Sequence, residues 1–114
     1  MDEPEQMVAV RWAFSERHFV LRWHAHQEML ADALTTEAIR GAGAQSDLLE
    51  DYPDREHGHT KLLLGETQLG DPIHLVVNVA GFEADFSEPL VVITVYRPTP
   101  PWWLDKRKRR GGPL

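Results

Sequence analysis

Leu90-Val91-Val92-Ile93-Thr94-Val95 is a short apolar run rich in β-branched residues, the composition of a strand buried on both faces or nearly so. Pro89 stands just before it and Pro98 just after, so both ends are punctuated. At its far end the chemistry changes abruptly to Tyr96-Arg97. A rigid strand that delivers a phenol and a guanidinium to its rim is a platform for a site. It is also how an ordinary strand ends.

Upstream, Thr60 to Glu66 and Pro72 to Val79 read as two more strands, with Gln68-Leu69-Gly70-Asp71 as the turn between them. Leu48 to Tyr52 reads as an edge strand stopped by Pro53, and Asp54 to His59 as a polar loop. Gly81 to Glu88 reads as a longer connection. His18 to Trp23 has the aromatic and β-branched content of another short strand. The remaining amino-terminal sequence is helical. Pro4 suits a first turn, and Met7, Val10, Arg11 and Phe14 follow at i, i+3, i+4, i+7; alternation over Val8 to Trp12 leaves a strand open there. From His24 the residues are mostly good helix formers, with Ala25, Met29 and Ala33 on one stripe. Thr35 or Thr36 with Glu37 signals a second helix start, and Gly41 or Gly43 its end.

Sequential strands on short links predict an antiparallel sheet of about four strands, with two or three helices packed on one face, in a single α+β domain. Residues 1–16 read as a helical lead-in, 17–105 as the α+β domain and 106–114 as a basic tail. Pro98 to Pro101 stop the sheet, and Trp102-Trp103-Leu104 are expected to pack back on it.

The chain has 114 residues and no cysteine, which suits one modest core and excludes disulfides, thiolate metal sites and Cys nucleophiles. The acidic start Met1-Asp2-Glu3-Pro4-Glu5 is unlike a signal peptide, and no apolar run reaches membrane-helix length. A cytoplasmic, bacterial-type domain is the expectation. The formal charge of −6 hides an asymmetry: five of the 12 basic residues are Lys106 to Arg110, leaving 7 basic against 18 acidic side chains in residues 1–105, a net of −11. Such a body repels nucleic acid on average, while the tail can hold a phosphate backbone locally or simply lie solvated.

Several short patterns occur in a fixed order: His24-Ala25-His26-Gln27-Glu28-Met29, Thr35-Thr36-Glu37, Tyr52-Pro53-Asp54, Lys61 to Gly65, Pro72 to Val77, and Ile93-Thr94-Val95-Tyr96 before a Pro- and Trp-rich basic terminus. Together, over about residues 17–110, they resemble the small prokaryotic domain-of-unknown-function family 4258. That resemblance implies a RelE/BrnT-like toxin fold and a metal-independent ribonuclease of a toxin–antitoxin pair, with RNA and an antitoxin or other protein as partners and no cofactor. The family pattern has Arg where this chain has Glu28. If that Arg neutralises a phosphate, the acid reverses the local charge, and a catalytically inactive protein-binding or regulatory module becomes the rival reading.

A ribonuclease of this type makes the ribose 2′-hydroxyl attack the adjacent phosphorus, which requires a base, an acid and cations. On the implied fold His24 is the base or acid candidate, Tyr96 would position or protonate, and Arg97 would bind phosphate. Lys61, Lys106 and Arg107 are further cations for the substrate. Each has a plain structural reading beside it: a helix-start histidine, a strand-end aromatic, solvated charges. His24-x-His26 cannot chelate one ion on a helix, where i and i+2 diverge by about 200°. His57-x-His59 in the loop lacks preset carboxylates, so no metal site is expected. Packing explains Trp23, Trp102 and Trp103 better than base stacking does.

Overall fold

The computed structural model describes residues 3–53 and 58–98. Along them run α1 (Glu3–Ser15), β1 (Phe19–Leu21), α2 (Trp23–Ala31), α3 (Thr36–Ala44), β2 (Asp47–Tyr52), β3 (Thr60–Glu66), β4 (Pro72–Asn78), α4 (Ala80–Ala84) and β5 (Leu90–Tyr96). The α+β reading holds, and the strands form one open sheet in the order β1-β5-β4-β3-β2.

From β2 to β5 the pairing is antiparallel, as short links require. β1 departs from the expected pattern. It runs parallel to β5, with Phe19 opposite Leu90 and Leu21 opposite Val92, so the sheet is mixed and has five strands. Most of the chain separates these two strands, and no tight turn dictates their relative direction. α4 falls almost wholly in the stretch read as a connection, beginning one residue before it. At five residues it is too short to show a helical period.

α1 settles the open choice between helix and strand near Val8. Met7, Val10 and Phe14 are buried while Val8 and Trp12 are exposed, which is helical spacing and not alternation. The lead-in is thus part of the core. α1 and α3 lie together over one face of the sheet, where Phe14, Ile39, Leu63, Ile73, Leu75, Val92 and Val95 share a cluster. The approach of α3 is close: a Cβ at Gly65 of β3 would meet the backbone of Ala42. The opposite face of the sheet also carries buried residues, among them Leu62, Leu64, His74 and Tyr96. Trp102 to Leu104, expected to pack on the sheet, lie outside the described residues.

Two helices end alike. In α1 the His18 amide reaches Ala13 O and the Arg17 amide Phe14 O; in α2 the Leu34 amide reaches Met29 O and the Ala33 amide Leu30 O. These are Schellman ends, whose C′ residue takes a positive φ and is usually Gly. Here Arg17 (φ 58°) and Ala33 (φ 55°) occupy it. Ala33 is therefore beyond α2 and not on its stripe. Three residues after that stop, Thr36 begins α3, with the Thr35 hydroxyl accepting from the Ala38 amide.

β5 is interior, between β1 and β4. Its register against β4 shifts between Val76 and Val77, so Ile93 is the extra residue of a bulge. Because β1 has only three residues, the rest of that edge of β5 needs other partners. α2 and its C-terminal turn supply them. The Arg22 amide extends the ladder to Val92 O, the Glu28 carboxylate accepts from the Val95 amide at 3.2 Å, and the Asp32 carboxylate accepts from the Arg97 amide at 3.0 Å.

Candidate functional site

The residues suggested by the sequence are distributed over several environments. Tyr96 is buried on β5, directly opposite His74 of β4. Its hydroxyl lies 3.3 Å from His74 Nδ1, with ring centroids 5.3 Å apart. His24 is exposed at the start of α2, and its Nε2 lies 3.3 Å from a Glu28 carboxylate oxygen. That oxygen is the one that caps the Val95 amide. Glu28, read from the sequence as a departure from the resembled pattern, therefore has a structural task here, covering a β5 edge group. Trp23, expected to pack, is 73% exposed and stacks on His26. Lys106 and Arg107 lie outside the described residues.

Lys61 is fully buried and belongs to a group the sequence reading did not assemble. Its Nζ donates to Asp51 Oδ1 at 3.0 Å and to Gln6 Oε1 at 2.8 Å. His59 Nε2 contacts the same Asp51 oxygen, and His59 Nδ1 lies 2.7 Å from Glu83. Gln6 Nε2 then donates to the other Glu83 oxygen at 2.9 Å. Five side chains from α1, β2, β3, α4 and the segment before β3 thus close a ring. Ionised carboxylates only accept, so both His59 contacts are hydrogen bonds together only with a proton on each ring nitrogen. Burial pushes the Asp51 carboxyl up, but hydrogen bonds from His59 and Lys61, together with their charges, outweigh it and hold the group below its ordinary value. Neither nitrogen of His59 is left for a substrate in this arrangement. The one local sign of the ring was a lysine inside an apolar strand; its Gln6–Glu83 bond spans 77 residues.

Arg97, just past β5, stands at the other end of the sheet, beside the β3–β4 turn. Its Nε donates to Asp32 O at 3.2 Å, and its Nη1 lies 3.3 Å from Asp71. It lines a cavity of about 250 Å³ formed by the α2–α3 turn, α3 and the turn at Thr67–Asp71. Leu34, Ala38 and Leu69 give this cleft apolar walls, and Thr35, Glu37, Thr67 and Asp71 give it polar ones. Glu37 is engaged by Arg17 and Arg40. The Arg40 hydrogen bond, with the nearby Arg17, holds the Glu37 carboxyl below its ordinary value against a weaker opposing effect of burial. Among the described residues, no group of three or more His, Cys, Asp or Glu side chains is arranged to hold a metal ion.

With this geometry in hand, relatives can be compared. The sequence model of one family, described as Domain of unknown function (DUF4258), matches residues 21–97. The chain belongs to that family. The match runs from the end of β1 through Arg97, so in this DUF4258 domain it takes in the α2 edge cover, the cleft and most of the ring, and leaves out α1. Neither a curated protein nor a solved structure matches the chain. No helix among the described residues is long and apolar enough to cross a membrane.

Proposed function

We propose that this DUF4258 domain is a protein-binding or regulatory module without nuclease activity, working through the cleft beside Arg97. One observation carries the reading: the side chains that RNA cleavage would need are each engaged by other groups of the fold. Tyr96 is buried against His74, Lys61 is held in the ring, and Arg97 bonds Asp32 and Asp71. His24 pairs with an acid. The net of −11 over residues 1–105 adds repulsion toward a phosphate backbone. A protein partner, including an antitoxin-like one, fits this reading better than RNA does.

A second reading, a toxin-like metal-independent ribonuclease, is favoured by the exposure of His24 beside Trp23, which leaves an imidazole and an indole open to a nucleotide. Expression of the protein alone, with RNA-cleavage assays with and without ribosomes, separates the two. The module is expected to cause no growth arrest and no cleavage. Arrest and cleavage that disappear in His24→Ala or Tyr96→Phe would replace the first reading with the second.

A further inference from the structure

The cleft beside Arg97 has walls specific enough to suggest what it binds. A guanidinium carries five N–H groups. In Arg97 the contacts to Asp32 O and Asp71 involve Nε and Nη1, and Nη2 has no partner among the described residues. The Thr35 hydroxyl accepts from the Ala38 amide and the Thr67 hydroxyl from the Asp71 amide, so each keeps its own O–H to donate. The two carboxylates on the walls are already paired, Glu37 with Arg17 and Arg40 and Asp71 with Arg97. The groups left over on Arg97, Thr35 and Thr67 are donors, and together they call for a ligand group that accepts.

The nearby acids decide which acceptor. Asp32, Glu37 and Asp71 stand around Arg97 or on the same cleft, and they disfavour a dianion such as phosphate more than a single negative charge. Leu34, buried in the wall, and Leu69, 89% exposed at the turn, offer apolar surface to the rest of the ligand. A volume of about 250 Å³ is below the usual range for drug-sized ligands. It suits a body of about one residue.

We propose that this cleft binds a carboxylate carried on a small apolar group, with Arg97, Thr35 and Thr67 on the carboxylate and Leu34 and Leu69 on the apolar part. The proposal rests on the binding-module reading and gives its site a ligand class; a free acyl amino acid and a protein's carboxyl-terminal residue share this chemistry.

Gly41 makes a clean test possible. It lines the cleft, and a Cβ added there meets nothing within 4 Å. Gly41→Leu thus fills the cleft while giving α3 a better helix former than Gly. The experiment is a titration of the isotope-labelled protein, followed by amide NMR, with N-acetyl-leucine, N-acetyl-leucinamide, inorganic phosphate and N-acetyl-Gly-Gly-Leu. N-acetyl-leucine is expected to shift amides around Gly41, Thr67–Asp71 and Arg97 saturably. The neutral amide should bind about tenfold more weakly, the loss expected for one charge-assisted contact. Arg97→Gln should weaken the acid about tenfold on the same grounds, and Gly41→Leu should abolish binding while keeping a folded spectrum. Retention of the acid on N-acetyl-Gly-Gly-Leu would identify a chain terminus as the source, and its loss a free small acid. Equal binding of acid and amide, tighter binding of phosphate, undiminished binding to Gly41→Leu, or no saturable shift would each overturn the proposal. Such a failure without RNA cleavage removes the ligand class alone; RNA cleavage removes the module reading itself.

Discussion

At one end of the sheet, Lys61, Asp51, His59, Glu83 and Gln6 hydrogen-bond one another around a closed ring. At the other, Arg97 spends part of its guanidinium on Asp32 and Asp71 and stands on the wall of a cavity. Both ends place charge against a hydrophobic sheet. The difference lies in what remains unsatisfied. A buried ammonium must find its partners within the fold itself, and Lys61, with no exposure, has a carboxylate and an amide oxygen. A half-exposed guanidinium can leave N–H groups to water, and whatever water satisfies a ligand can satisfy instead. Charged residues near a sheet rim thus differ in how much of their hydrogen bonding the fold itself takes up.

The sharpest way to break that comparison is Asp51→Ala. It leaves the Lys61 ammonium buried without a carboxylate and is expected to cost about 3 kcal/mol in urea unfolding. A cost no larger than that of a surface substitution would mean the ring is not closed in solution. The same carboxylate sets an acid response. Its native pKa is lowered, so the stabilisation is complete above the ordinary Asp range. It is lost as pH falls through the lowered native value, because the unfolded chain binds the proton first. Unfolding midpoints between pH 6 and pH 2 should therefore fall less steeply in Asp51→Asn than in the unaltered protein.

Arg97→Gln tests the other end. Water can replace both contacts of a partly exposed side chain, so the expected loss is only about 1 kcal/mol. A loss matching that of Asp51→Ala would make Arg97 a structural residue. The smallest effect is a gain. Ala33, on the wall of the cleft, holds φ 55°, and Ala33→Gly should raise stability by about 0.5–1 kcal/mol by relieving that strain. Thermal unfolding reads the sign directly.

Much of the fold was legible along the chain. The β-branched run at Leu90 to Val95, the turn at Gln68 to Asp71 and the Thr35 cap each correspond to an element or its boundary. The candidate site was less legible. Tyr96 and Arg97 were singled out for their place at a strand end; Tyr96 is buried against His74 and Arg97 lines the cleft. His59 drew notice through its spacing from His57 as a metal pattern, yet its partners are Asp51 and Glu83, 8 and 24 residues away along the chain. Glu28 stood out as a departure from a family pattern, and its bond to the Val95 amide spans 67 residues.

The sequence by itself determined most of the segments that are helix or strand, though not α4 or the choice at α1, and that they form one α+β domain, because periodicity, capping and turn chemistry act within a few residues. Only the tertiary structure decided that β1 runs parallel to β5, that α2 and the turn after it cover the edge β1 leaves open, and that Lys61 is enclosed while Arg97 is left at a cleft. Those outcomes depend on polar groups far apart in sequence finding partners once the helices have packed. No local pattern encodes which distant group will be there.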